Sequence, residues 1–256
     1  MAQKNNITWD QTAKVESWNL MLSVAKEMNY PLSPIVTSAY NFLYNYFFNG
    51  GSLSEYDLIT LCITSIFVTI KSEGRDESFT NVIKKFAEIA AEFTGDRKNI
   101  FGSSTDSLKL YIKRNNERHF QVVQSNVLQC EFSMLTTNKW EFITDHPFSF
   151  MNYWLEQVKN SMKNNPNYPA LKVKFYEMRT KCVHNLCLLL ITQEGPWPTG
   201  AHFAANALLY TIFNFEPILN PEYADFLNKQ LSPKLENKQP FDFAALAKRV
   251  NDAIIP

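Results

Sequence analysis

Residues 58–71 read Leu-Ile-Thr-Leu-Cys-Ile-Thr-Ser-Ile-Phe-Val-Thr-Ile-Lys, and this stretch decides the fold class. No charge occurs before its last residue, and a helix that lacks a polar face must be surrounded by other helices. The run is shorter than the roughly 20 apolar residues that a membrane-spanning helix requires. It therefore predicts a buried helix at the centre of a bundle, which ends at a single cation, Lys71.

A second stretch places one acid on the apolar side of a helix. Glu131 follows Val127 and Leu128 by four and three residues and precedes Leu135 by four. This spacing puts its carboxylate on or beside the apolar face, where a charge without a partner is strongly unfavourable. Lys71, whose long stem can cross apolar surface, is the candidate partner. An ion pair with a purely internal role and a pair that also binds a second protein are equally compatible with these residues.

The rest of the chain predicts two all-α halves. Apolar residues recur at three- and four-residue intervals, strand-like alternation is absent over any useful length, and the 256 residues include only 7 glycines. Ser33 before Pro34 predicts a helix cap, residues 95–118 predict a polar connection, and Asp145-His146-Pro147 predicts a second capped start. The domains are 1–145 and 146–256, with five helices each near 18–28, 33–47, 57–71, 78–93 and 119–137, then 148–162, 171–190, 198–213, 221–230 and 241–254.

The charge balance and the motifs exclude several classes of function. Lys plus Arg and Asp plus Glu both number 25, and residues 147–256 hold no concentrated run of Lys or Arg, so direct nucleic-acid binding is not expected. The chain has no glycine-rich phosphate loop, no His-Glu-x-x-His and no nucleophile elbow, which predicts no enzymatic activity and no cofactor. The first 15 residues lack the apolar core of a signal peptide, so neither secretion nor membrane insertion is expected.

The cysteines predict reduced core thiols in an intracellular protein. All four lie in apolar surroundings, and their spacing is not that of a disulfide scaffold. Cys182, His184 and Cys187 offer three metal ligands, but a two-residue step turns a helix by about 200° and so points His184 away from Cys182. No matching ligand pair occurs elsewhere in the sequence, so no metal site is predicted.

The order and spacing of these features resemble the cyclin family, most closely the transcriptional cyclins of the T, K and L types, with the C type next. The likeness is clear over residues 10–165 and weak to about 230. No Met-Arg-x-Ile-Leu docking patch, as found in cell-cycle cyclins, is present near the start of the first helix. The segments that match the second, third, fourth and fifth helices of a cyclin box are 33–47, 61–73, 79–84 and 127–147.

The resemblance implies a fold of two tandem five-helix cyclin boxes and the function of a regulatory subunit. Such a subunit binds and activates a cyclin-dependent serine/threonine kinase, with transcription-regulatory subunits as further partners. It is expected to act in RNA polymerase II transcription control in the nucleus, with the cytoplasm as a second location. In this family the lysine that ends the third helix and the glutamate of the fifth bind the kinase. The kinase-binding residues implied here are Lys71, Glu73, Glu131, Phe67, Phe79 and Phe132.

Two alternatives stay open, and a departure from the family motivates one of them. The family often has Lys-x-Glu-Glu where this chain has Lys71-Ser72-Glu73-Gly74, so one acidic kinase contact is missing. A cyclin-fold adaptor that binds no kinase is one alternative, and Gly74 motivates it. The other is a cyclin-fold general transcription factor, similar to the core of transcription factor IIB, which would need a basic surface on its second half.

Overall fold

The computed structural model describes residues 9–114, 116–142, 146–163, 168–193 and Ala207. These residues form nine α-helices and no strand, so the all-α prediction is confirmed. The chain divides into two compact units, Met1–Thr144 and Asp145–Pro256. The first contains α1 (Gln11–Glu27), a π-helical turn (Leu32–Val36), α2 (Thr37–Phe48), α3 (Leu58–Ser72), α4 (Phe79–Ala90), α5 (Gly95–Phe101), α6 (Ser104–Arg114) and α7 (Glu117–Thr137). The second contains α8 (Pro147–Met162) and α9 (Tyr168–Ile191).

Helix α3 lies at the centre of the first unit, as its sequence predicts. Every residue from Leu58 to Ile70 is buried, and α3 contacts all six other α-helices described in this unit. Two of its buried hydroxyls are satisfied within the helix, because Thr64 and Ser65 each donate a hydrogen bond of 2.8 Å to the carbonyl four residues earlier. An almost uniformly apolar helix can therefore carry polar side chains without leaving donors unpaired.

The start of α3 is joined to the start of α6 by Asp57. One oxygen of its carboxylate accepts hydrogen bonds from the Thr60 amide, at 3.1 Å, and from the Thr60 hydroxyl, at 2.6 Å. The other accepts from the Ser104 amide at 2.6 Å. Gly102 precedes this contact with a φ of +89°, and a Cβ there would clash with the Asp57 side chain. Asp57 thus caps α3 and fixes the entry of the chain into α6.

The segment 95–118 is not the polar connection that its composition predicts, because it contains α5 and α6. Thr105, Leu108 and Tyr111 recur at helical spacing and are buried on one side of α6. Lys109, Lys113 and Arg114 fall between and after them, so the apolar stripe is narrow and the mean composition is polar. The described part of the first unit therefore has seven α-helices, and the prediction of five was wrong.

The start of α2 also differs from the prediction. The helical segment begins at Leu32, as a π turn capped by Pro31, and not after a Ser33 cap. The turn runs directly into Thr37 without a break. Pro34 therefore occupies an early turn of the helical segment, where a residue without an N–H group is tolerated.

In the second unit the predicted start is confirmed at His146. This residue is the N-cap of α8, and Pro147 is the first helical residue, although the His146 side chain does not form the capping hydrogen bond. Helices α8 and α9 pack against each other and agree with the first two helices predicted for this half. Apart from Ala207, the helices predicted at 198–213, 221–230 and 241–254 lie outside the described residues. The arrangement of two five-helix cyclin boxes stays a prediction.

Three of the cysteines are buried and the fourth is half-buried. Cys62, Cys130 and Cys182 lie in the cores of their units, and none of the four cysteines forms a disulfide. Burial raises the pKa of the Cys62 and Cys130 thiols to about 12, which leaves them protonated and unreactive at neutral pH. Along the described ranges, no helix has the length and apolar character needed to cross a bilayer.

Candidate functional site

Lys71 and Glu131 form an ion pair between the last turn of α3 and the second half of α7. The two residues are 60 positions apart in the sequence, and their predicted meeting is confirmed. The Glu131 side chain is only 16% exposed, whereas the Lys71 side chain is 51% exposed. Lys71 therefore compensates a largely buried carboxylate and still presents its ammonium group to solvent.

An aromatic pair lies beside the Lys71 ammonium. Phe67 is one turn before Lys71, and its ring is 4.8 Å from the Lys71 Nζ atom. Phe79, the first residue of α4, lies with its ring centroid 4.5 Å from that of Phe67. Phe67 is buried and Phe79 is half-buried, and the two rings provide the apolar surface beside the ammonium. A cation held against a ring and a carboxylate has a restricted orientation.

The α7 side of the site has exposed apolar residues. Phe132 is 67% exposed and follows Glu131 directly, and Leu128, one turn earlier, is 51% exposed. A spacing of four residues places both on one face of the helix. Between Arg118 and Lys139, Glu131 is the one charged residue in the sequence. We call Lys71, Glu131, Leu128 and Phe132 the α3–α7 surface.

The sequence spacing groups Leu128 with the apolar face of this helix, but the structure exposes it. The buried face of α7 is set by a regular run of apolar residues to which Leu128 does not belong. Leu128 follows Val127 directly, which turns it about 100° away from the core. The spacing of this run in steps of three and four distinguishes the core face of α7 from its exposed face. Its members are Phe120, Val123, Val127, Cys130 and Met134.

The turn after α3 accounts for the glycine where the family often has an acid. Gly74 has a φ of +65°, and its amide bonds the Lys71 carbonyl at 3.1 Å. The next amide, of Arg75, reaches back to the Ile70 carbonyl at 3.1 Å. These two bonds form a Schellman motif, in which glycine is the preferred residue because it adopts the left-handed conformation without strain. Glu73, the C-cap of α3, is half-buried beside this turn.

Beyond this turn, Glu77 ties the connection between α3 and α4 to the end of α1. Its carboxylate accepts hydrogen bonds from the Asn81 side chain at 2.8 Å, the Tyr30 hydroxyl at 2.9 Å and the Ser78 amide at 3.1 Å. The hydrogen bond from Asn81, helped by those from Tyr30 and Ser78, lowers the pKa of Glu77. Burial, together with the bond to Glu77, raises the pKa of Tyr30 to about 12. The turn that follows Lys71 is thus held in place from both sides.

The six residues predicted to bind a kinase are not equally placed. The ion pair and the two phenylalanines Phe67 and Phe79 are contiguous, and Phe132 continues the surface along α7. Glu73 belongs to the neighbouring turn. Within the ranges that the structure covers, no group of His, Cys, Asp and Glu side chains is arranged to hold a metal ion.

Comparison with known proteins does not identify this chain. No protein-family profile matches it, and no curated protein matches it.

Proposed function

We propose that this chain is a cyclin-like regulatory subunit that binds and activates a cyclin-dependent serine/threonine kinase in RNA polymerase II transcription control. The observation that carries the proposal is the Lys71–Glu131 pair, whose ammonium group faces solvent, with the exposed Leu128 and Phe132 beside it. The resemblance to cyclins gives this pair a kinase-binding role, and its chemistry suits that role.

The ion pair can bind a partner without being broken. An ammonium group has three N–H donors and a carboxylate has about four acceptor positions, so a single mutual contact leaves most of them for a partner. Phe67 and Glu131 hold the ammonium in one place, and a preorganised group loses little conformational entropy on binding. The pair is suited to bonding backbone carbonyl and amide groups at the end of a helix.

The apolar part of the α3–α7 surface supplies the other requirement of a stable interface. Phe132 and Leu128 project from one face of α7 beside the charged pair. Interface centres are enriched in aromatic residues that are exposed in the free protein and buried in the complex. A partner helix with its own apolar stripe and a polar end would cover Phe132 and Leu128 and meet Lys71.

Activation then depends on which state of the kinase is bound. The kinase is active when its regulatory helix lies inward and completes the Lys–Glu pair and the metal site that phosphoryl transfer needs. A subunit activates only if it binds this state more tightly than the inactive one. The catalytic chemistry belongs to the kinase, and this chain supplies the binding energy.

The test is affinity purification of the full chain from its native cell, followed by identification of the co-purifying chains and a kinase assay. Lys71→Ala with Glu131→Ala removes both charges, so neither is left unpaired, and we expect a loss of kinase binding of tenfold or more, on the order of 1.4 kcal/mol. Phe132→Ala should weaken binding to a similar extent.

A matched control exists on α4, where Lys85 and Glu88 form an exposed ion pair of 2.8 Å in the same unit. Lys85→Ala with Glu88→Ala should leave the kinase bound and active. Recovery of no kinase would overturn the proposal, and so would a kinase whose binding and activity are unchanged by the Lys71 and Glu131 substitutions in a folded protein. Recovery of stable partners without a kinase would favour the adaptor alternative.

A further inference from the structure

The two described helices of the second unit concentrate positive charge. Residues 146–163 and 168–193 contain six Lys or Arg residues and two Glu residues, a net charge of +4. Since the whole chain has no net charge, all remaining residues together carry −4. This segregation is invisible in the whole-chain balance, and no two of these cations are adjacent in the sequence. They are Lys159, Lys163, Lys172, Lys174, Arg179 and Lys181.

On α9 the cations lie in two rows along the helix. Lys172 and Arg179 are seven residues apart, which is nearly two turns, so they lie about 10 Å apart on one side. Lys174 and Lys181 repeat this spacing on the other side. All four side chains are exposed.

Between the rows runs a ridge without cations. Val173, Tyr176 and Thr180 follow one another at steps of three and four, and all three are exposed, with the Tyr176 side chain among the large exposed apolar groups of the chain. Glu177 is the one acid on this helix. Tyr176 is one turn from both Lys172 and Arg179, so an aromatic ring lies directly beside this row, whereas Lys174 and Lys181 lie on the opposite side of the helix.

Helix α8 adds to the row that contains Arg179. Glu156 on α8 bonds Lys159 at 2.9 Å, and this bond lowers the pKa of Glu156, as do the nearby positive charges of Arg179 and Lys163. The positive charge of Arg179 on α9 therefore acts on Glu156 of α8, and Lys159 is the residue whose charge Glu156 balances directly. Tyr153, also on α8, is 62% exposed.

We call Lys172, Tyr176 and Arg179 of α9 with Lys159 and Lys163 of α8 the α8–α9 surface, and we infer that it binds single-stranded nucleic acid. Rows of Lys and Arg neutralise backbone phosphates, and each neutralised phosphate releases counterions. The exposed ring of Tyr176 beside the row of Lys172 and Arg179 offers a face on which an unpaired base stacks, a contact that neither a duplex nor an acidic peptide can make. This inference does not rest on the proposed kinase role, because its residues lie in the other unit.

Fluorescence anisotropy of the full chain with labelled oligo(dT) and oligo(U) tests this inference. Lys172→Gln with Arg179→Gln removes two cations of one row and should lower the affinity severalfold. It should also reduce the slope of log K against log salt by about 1.4, the value for two phosphate contacts on a single strand. Tyr176→Ala should weaken binding roughly tenfold with little change in that slope.

The control is Lys113→Gln with Arg114→Gln at the exposed end of α6, which makes the same change in net charge in the first unit. It should leave affinity and slope unchanged. Equal weakening by both double variants would overturn the inference, because charge alone would then explain binding. It is also overturned if polyglutamate competes as well as the oligonucleotides and Tyr176→Ala has no effect, which would assign the surface to an acidic protein. Should the double variant at Lys172 and Arg179 unfold, Lys172→Gln alone makes the same test, with the slope reduced by about 0.7.

Discussion

Helices α3 and α7 each contribute one member of the ion pair, yet they are built in opposite ways. From Leu58 to Ile70, α3 is buried on every side, and Lys71 is where it first reaches solvent. Helix α7 buries one stripe and exposes the other, including Leu128 and Phe132 beside Glu131. The buried helix therefore fixes the position of the pair, and the half-exposed helix provides the surface around it.

The largest expected effect on the free energy of unfolding comes from a substitution in the buried helix α3. Ile63 is fully buried in α3, so Ile63→Ala should lower the free energy of unfolding by about 2–5 kcal/mol. Phe132→Ala on α7 should change it by less than about 0.5 kcal/mol, because that side chain is mostly in solvent already. Urea unfolding followed by far-UV circular dichroism measures both values. A cost for Phe132→Ala as large as that for Ile63→Ala would show that the α7 face is packed in solution.

The same difference explains what could be predicted from the sequence. The uncharged stretch of α3 is stable only when buried, and the isolated charges Lys71 and Glu131 are stable in an apolar setting only as a pair. The sequence therefore predicts both features. The exposure of Leu128 and the helix α6 are not predicted. In an amphipathic helix, apolar residues occur on both sides of a narrow boundary, so several assignments of the buried face fit the same sequence. The charge segregation on α8–α9 depends on which residues share a surface, which neither whole-chain balance nor linear runs reveal.

The second comparison is between the N-caps of α3 and α7. Asp57 accepts hydrogen bonds from Thr60 and from the Ser104 amide, whereas Asn116, the cap of α7, accepts one exposed bond of 3.1 Å from the Arg118 amide. We expect Asp57→Ala to cost about 2 kcal/mol and Asn116→Ala about 0.5 kcal/mol. Thermal and urea unfolding would report both, with Asp57→Asn as the variant that keeps a capping oxygen. Equal costs at the two caps would mean that the bond from Asp57 to α6 adds nothing.

The C-terminal ends of α3 and α7 differ in the residue that takes the left-handed conformation. Helix α3 ends with Gly74, whereas α7 ends in the same motif with Lys139, which has a φ of +53° and donates its amide to the Thr136 carbonyl at 3.0 Å. Gly74→Ala should destabilise the protein by about 1 kcal/mol, and Lys139→Gly should stabilise it by about 0.5 kcal/mol. Gly74→Asn should cost less than Gly74→Ala, since Asn tolerates this conformation. Changes of the same sign at both ends would contradict the assignment.

The smallest effect should come from the Tyr30–Glu77 contact that holds the turn after α3. Hydrogen bonds from Asn81 and then Tyr30 lower the pKa of Glu77 in the folded state, below the value of about 4.3 expected for an unfolded chain. A lowered carboxyl pKa stabilises the fold at pH values above the unfolded pKa, and this contribution is lost as the pH falls through the folded pKa. Glu77→Gln should therefore cost about 0.5 kcal/mol at neutral pH and almost nothing in strong acid, where the wild-type carboxyl is protonated.

Urea unfolding of both chains at neutral and acidic pH measures this difference, and a cost for Glu77→Gln that does not change with pH would contradict it. Tyr30→Phe removes the 2.9 Å bond from the other side. If the contact acts as one unit, the double variant should be less destabilised than the two single variants added together, because the second substitution removes a bond that the first has already broken. Additive effects would mean that Asn81 and Ser78 alone hold Glu77, and that the end of α1 contributes nothing to the position of the turn beside Lys71.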